Sequence, residues 1–580
     1  MIEAGRVPVE LGRDGWDWWL DLSIYTRRRL GLAAGLLAAV ALIWLVALPA
    51  LPCQAPGGNV CPPSDHAIEL VPNDALAYIH LNLDRDGDQF KAAESVASRV
   101  PTLAQQAIGR LALELPGPNG ASLDFGRDVE PWLGGEAALA ILPAGGRVAQ
   151  EVQLLRVGDE DGARKFASSI ASGKPRASRY RNVEIQVDRR GLATAIVGGF
   201  LAIGTRGGVR QVIDAQSGAD DTKSLADDPA AADARDALPD DRLADVYLSK
   251  DGTSRLVTVA GSPLATLAAV IDPGASRGVA AALVASDQGL DLDIRSVLDP
   301  AHVSAHPGFF SAFPSFEPEL AASLPPDSLG YLGIGDPGRA IGSLLEQASA
   351  SEPGLAAAVG RLSKRVRALK GVDLERQLAP ALGGEAAFAL EPSPRGGART
   401  PVLVFVGSGI DEELATKALA RLQGPVAKAL GSSRRAPAFS QHRVGNVTVH
   451  SLSLSSTVDL SYAIVDQALV IATDPAGVRA RAAGGPGLDD ADPFREATSG
   501  LPSEVSTLGY LDLGGLIAIA ERAGLAGDPA YETFAPEIRR LRALGLAVQW
   551  SAHELSTDVR LVVADDAGGS GGGSGGTSSD

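Results

Sequence analysis

Cysteine, methionine and histidine are scarce in this chain, at 2, 1 and 7 among 580 residues. Two cysteines exclude a disulfide-stapled scaffold and cysteine-rich metal sites. Seven histidines leave little material for histidine-based catalysis. Lysine is also thin, at 9 of the 52 basic residues. None of the nine has serine three residues before it, which removes the Ser-x-x-Lys nucleophile. Gly-x-Ser-x-Gly is missing outside the Gly/Ser tail, and Gly173-Lys174 runs into Pro175 rather than the Ser/Thr of a phosphate loop. Positive charge is short overall: 52 Lys+Arg against 70 Asp+Glu leave a net −18. A chain so acidic repels phosphate backbones, so nucleic acid is not an expected partner.

What is present is folded protein, 45% hydrophobic and 21% charged. Its length exceeds what one core usually holds, so at least two domains are expected. Residues 30–48, LGLAAGLLAAVALIWLVAL, are uncharged, and at about 1.5 Å per residue they cover the roughly 30 Å of a bilayer's hydrocarbon core. Arg27, Arg28 and Arg29 precede the run, and the next charge is Asp65. The positive-inside rule then puts the N-terminus in the cytoplasm and the bulk of the chain outside, in a single-pass cell-membrane protein. A head carrying five acids and five bases, with no small-x-small cleavage site, argues against a removed signal peptide. Beyond the membrane, Cys53 and Cys61 flank seven residues, and oxidising conditions there would allow them to pair.

The rest of the chain repeats itself. DFGRDVEPWLGGEAALA at 124–140 returns as DLERQLAPALGGEAAFA at 373–389, with ten of 17 positions identical. The shared residues include Asp124/Asp373, Arg127/Arg376 and the run Gly134-Gly135-Glu136 against Gly383-Gly384-Glu385. AIVGGFLAIGT at 195–205 returns as AIVDQALVIAT at 463–473, and DEDGARKF at 159 as DEELATKA at 411. A shorter signal, a proline followed by a strand opening on tyrosine, occurs at Pro72/Tyr78, Pro239/Tyr247, Pro325/Tyr331 and Pro502/Tyr510. Period-two runs, with Gly198-Gly199 as a two-residue hairpin signal, mark strands. Alanine-rich apolar spacing predicts helices at 89–100, 161–171, 340–350, 356–369 and 412–422. Hairpins mixed with helices indicate α+β: two tandem duplicated domains, each a mainly antiparallel sheet with packed helices, after one transmembrane helix. The expected division is a cytoplasmic head (1–29), the span (30–51), a stalk (52–67), a first copy (68–303), a linker (304–319), a second copy (320–566) and a flexible Gly/Ser tail (567–580).

Chemical motifs fare poorly. Gly333-Ile-Gly335-Asp-Pro-Gly338 follows a strand like a dinucleotide fingerprint, but the matching loop of the first copy, His80 to Asp84, has no glycine. Asp84-Arg-Asp86-Gly-Asp88 opens like a calcium loop but has Gln89 where glycine is needed and Ser95 where glutamate is. It reads instead as an acidic start to the following helix. His302 and His306 stand four apart, but Ser304 and Pro307 indicate a loop. Glu136 and Glu385 are the best carboxylate candidates. Because both copies retain them beside Gly-Gly, a structural role is expected, in an ion pair or hydrogen bond to Arg127 and Arg376. No catalytic residue, metal or cofactor is expected.

The segments LVPNDALAYIHLNL, DVEPWLGGEAALAIL and AIVGGFLAIGT together resemble the bacterial domain-of-unknown-function family 3352, over 68 to about 565. The resemblance implies a membrane-tethered protein of the cell envelope and carries no catalytic residue with it. The expected function is a non-enzymatic binding or scaffolding module whose partner is an envelope protein, lipid or wall component. The alternatives are a lipid carrier and a carboxylate-based hydrolase of wall polymers.

Overall fold

Period-two runs become strands wherever a two-residue turn can reverse the chain. At Gly198-Gly199 both residues take positive φ, +56° and +81°, so the turn twists with its strands and 192–197 folds onto 200–205. The second occurrence of this hairpin reverses through Asp466-Gln467, also at positive φ. In the computed structural model the described residues are 64–103, 124–145, 149–260, 275–305, 313–338, 384–393, 401–430, 438–455 and 458–565. The chain divides into two units, one of 1–94 with 104–283 and one of 95–103 with 284–580.

The first unit contains β1 (Ala77–Asn82), β2 (Leu133–Pro143), β3 (Ala149–Val157), β4 (Arg176–Tyr180), β5 (Val183–Val187), β6 (Leu192–Val197), β7 (Phe200–Thr205), β8 (Ala244–Ser249) and β9 (Ser276–Ser286). Their spatial order is β9-β8-β1-β2-β3-β7-β6-β5-β4, every pair antiparallel. The second unit contains β10 (Gly289–Leu298), β11 (Gly330–Gly335), β12 (Glu385–Glu391), β13 (Val402–Gly407), β14 (Ser440–Val444), β15 (Val447–Ser453), β16 (Asp459–Val465), β17 (Ala468–Ala472), β18 (Thr507–Asp512), β19 (Leu541–Trp550) and β20 (Glu554–Val563). Here the order is β10-β20-β19-β18-β11-β12-β13-β17-β16-β15-β14, again antiparallel throughout. From β19 to β14 this is the first unit's order, position for position. The fold is therefore α+β, built on antiparallel sheet.

The four repeated tyrosines are two cross-strand pairs, Tyr78 opposite Tyr247 and Tyr331 opposite Tyr510. Helices cover the sheets where the apolar spacing predicts them. Asp88–Arg99 and Glu160–Ser169 form within two residues of expectation, and Glu412–Leu430 runs eight residues beyond it because buried Ala427 continues the apolar stripe. The repeated Asp-Glu pair has a local cause: Asp159 caps its helix by accepting from the amides of Asp161 and Gly162, and Asp411 accepts from Leu414. In the first unit Trp132 and Phe166 pack at 5.1 Å within a core shared with Leu155 and Ile203.

His302 corrects one expectation. It lies in a short helix, Pro300–Ala305, because Pro300 at the first turn and the Asp299 carboxylate on the Ala301 amide favour a helix start there. Among the described residues no helix is long and apolar enough to cross a membrane. The run 30–48, Cys53, Cys61, His306, the helices expected at 340–350 and 356–369, Asp373, Arg376, Gly383 and the tail lie outside the described residues.

Candidate functional site

The repeated Gly-Glu, as Gly135-Glu136 and Gly384-Glu385, sits at the start of β2 and β12 and performs the same task in both units. The Gly135 carbonyl accepts from Leu83 just past β1, and the Gly384 carbonyl accepts from Asp336 just past β11. One residue on, Glu136 turns inward and is 3% exposed; its Oε1 accepts from the Ala67 amide at 2.7 Å. Glu385 accepts from the amides of Glu319 and Leu320 at 3.0 and 3.1 Å. Ala67 and Leu320 each open a short 3-10 helix, so each carboxylate takes up the unsatisfied donors of a helix start. Each such bond to a charged acceptor contributes about 1.5–3 kcal/mol.

The partner expected from sequence is corrected. Arg127 does not reach Glu136; it lies exposed and grips its neighbour Asp128 at 2.8 and 2.9 Å. The reason is local: Asp124 caps the short helix Phe125–Asp128, which turns Arg127 toward Asp128 on the solvent side. Gly134 is held small by its neighbour, since a Cβ there would lie 2.6 Å from Arg156 Cγ.

Around Glu136 the first unit assembles a buried polar cluster that sequence reasoning did not find. His80 on β1 stands directly opposite Asp245 on β8, and its Nδ1 lies 3.3 Å from Asp245 Oδ1. His80 is 1% exposed and Asp245 fully buried. Arg242 Nε donates to Asp245 Oδ1 at 2.8 Å, and Arg235 Nε to Oδ2 at 3.1 Å. Arg235 also pairs with Asp65. Asp65 Oδ1 accepts from the Tyr78 hydroxyl at 2.5 Å and from the Ile68 amide at 3.2 Å. His80 Nε2 faces Glu136 Oε1 at 3.7 Å and Asp65 Oδ1 at 4.0 Å, and makes no hydrogen bond.

The electrostatics follow from burial and neighbours. Three carboxylates meet two guanidinium groups, and two imidazoles face the remaining negative charge: His80, and His66, whose Nδ1 lies 3.3 Å from Glu136 Oε2. Burial opposes the imidazolium, but Asp65, Asp245 and Glu136 outweigh it and hold His80 above its ordinary pKa. Burial pushes the Glu136 carboxyl up, and the Ala67 amide only partly offsets this. Burial also acts against ionised Asp245, but the His80 bond and the two arginines prevail and hold it well below the carboxylate range. Burial, with the Asp65 charge beside it, raises the Tyr78 phenol well above 10.

Among the described residues of the second unit this cluster does not recur. Register places Gly333 where His80 stands and Leu508 where Asp245 stands. The space left by Gly333 is taken by the Tyr331 hydroxyl, which donates to Glu385 at 3.1 Å; a Cβ on Gly333 would lie 2.3 Å from that oxygen. A signal was available in the sequence: a histidine and an aspartate, each two positions from a repeated tyrosine, stand where the second copy has glycine and leucine.

No curated protein matches the chain. The solved structure described as crystal form I of TP0453 is similar over 42% of this chain and 85% of its own length, at 10% sequence identity and a TM-score of 0.24, too slight a likeness to carry an argument. The family described as protein of unknown function (DUF3352) matches residues 30–562. With nearly the whole chain covered by that match, this protein belongs to the DUF3352 family.

Proposed function

We propose that this protein is a single-pass membrane protein that presents two homologous α+β units outside the cell as a non-enzymatic binding or scaffolding module. The observation that carries the reading is the use made of Glu136 and Glu385. Both are engaged by backbone amides at a helix start, so the residues best suited to acid–base work serve the fold in each unit. The nine-strand order common to both units supports descent from one duplicated sequence. The charge-free run at 30–48 behind three arginines supports a membrane anchor with the units on the far side.

Two measurements test the parts separately. Glu136→Gln and Glu385→Gln should each lower the melting temperature by an amount set by weakened amide bonds; loss of a turnover activity at unchanged stability would instead favour a hydrolase. For topology, a thiol reagent that cannot cross membranes should label Cys53 and Cys61 in intact, reduced cells. Labelling only after the membrane is opened would reverse the orientation.

A further inference from the structure

His80 Nε2 is a buried imidazole nitrogen aimed at two carboxylate oxygens and bonded to neither. A bare lone pair in that position is repelled by both oxygens when they are ionised, so the site favours a positive species on the nitrogen. A proton there would make only ion pairs, since the 3.7 and 4.0 Å found here exceed the roughly 2.7–3.2 Å of a hydrogen bond. A four-coordinate first-row metal ion bonded at about 2.0–2.2 Å sets its ligands about 3.3–3.6 Å apart, close to the 3.7 Å to Glu136, and Asp65 at 4.0 Å would have to move in by a few tenths of an ångström. The other ring nitrogen already faces the Asp245 carboxylate at 3.3 Å, the outer partner that fixes a metal-binding imidazole in one tautomer and orientation. Asp245 is in turn held by Arg242 and Arg235, so the ring's mount is itself fixed.

From this geometry we infer that the first unit holds one divalent transition-metal ion between His80 Nε2, Glu136 Oε1 and Asp65 Oδ1. Asp245 acts as a positioning residue behind the imidazole. The nitrogen-and-oxygen donor set suits zinc, cobalt or manganese rather than a thiolate-seeking ion. Glu136 thus does what Glu385 does and one thing more, because the second unit has Gly333 in place of the histidine. The site does not depend on the membrane placement proposed above.

The test uses the full chain in detergent, stripped with chelator and titrated with Co2+ alone. The expected result is about one Co2+ per chain with visible ligand-field absorption and a rise in melting temperature. His80→Gln should abolish all three, whereas Glu385→Gln, the matching carboxylate of the second unit, should leave uptake intact. Asp65→Asn serves if His80→Gln does not fold, and should weaken uptake at least 10-fold. A stripped wild-type chain that takes up no Co2+ overturns the inference and leaves a proton on Nε2. Uptake that survives in a folded His80→Gln or Asp65→Asn variant overturns it equally.

Discussion

Single buried carboxylates give this protein its most sensitive positions. Glu391 on β12 is 6% exposed, and burial, with Asp327 nearby, pushes its carboxyl up to about 7. The repeat sets it level with Leu142 on β2, which is fully buried. A carboxyl whose pKa is raised on folding adds stability below its unfolded value, about 4.3, and loses it as pH climbs through the folded value. Glu391→Leu should therefore be near neutral at pH 4 and stabilise the second unit by about 2–3 kcal/mol at pH 8. Denaturation curves at the two pH values check this; an advantage independent of pH would point to packing rather than charge. Glu385 behaves differently although burial raises its pKa as well. Its oxygens are occupied by amides, so Glu385→Gln should cost about 1–2 kcal/mol at neutral pH by turning charged bonds into neutral ones.

At the scale of elements, the β10–β20 ladder places like charges face to face. Asp293 lies directly opposite Asp558, the two carboxyls share a hydrogen bond, and Arg295 reaches both at 3.0 and 2.7 Å. Burial and the Asp558 bond push Asp293 up to about 7, while Arg295 opposes them. Asp291 and Arg560, bonded at 2.6 Å, extend the row. This pair too is favourable while protonated, so the ladder loses stability as pH rises from about 4 to its folded value near 7. Asp293→Asn should flatten that part of the stability–pH curve and leave the acidic end unchanged, as pH-resolved thermal denaturation would read. Packing of helix on sheet is equally specific. A Cβ on Gly545 of β19 would lie 1.9 Å from the backbone oxygen of Ala497 in the helix Asp492–Thr498. Gly545→Ala must push that helix off the sheet, at about 1–3 kcal/mol; denaturation of the variant measures it.

Across the whole molecule, two units with one strand order have been given different interiors. The first unit spends a strand position on His80 and fills the space around it with acids and arginines, while the second spends it on Gly333 and fills the space with a tyrosine hydroxyl. The two solutions exclude each other locally, so restoring the histidine alone does not restore the cluster. Gly333→His should destabilise the second unit by about 1–3 kcal/mol by driving the ring into the Tyr331 hydroxyl, without creating a second Co2+ site. Thermal denaturation alongside the Co2+ titration checks both halves of this statement.

What could be read from the amino acids alone was whatever is decided by neighbours in the chain: the period of the strands, the Gly198-Gly199 turn, the Asp159 and Asp411 helix starts, and the α+β class that follows from them. The repetition of Gly-Gly-Glu marked Glu136 and Glu385 as related, because equal sequence folds into equal local structure. Their partners were not legible. Arg127 looked right by proximity, but it turns to Asp128, and the true donors are amides more than sixty residues away. The cluster of Asp65, His80, Glu136 and Asp245 was hidden for the same reason. No two of these residues lie close in sequence except the first pair, and none forms a motif. Only the pairing of β1 with both β2 and β8 brings them together, and only burial, by removing the water that would otherwise screen them, turns their charges into a site.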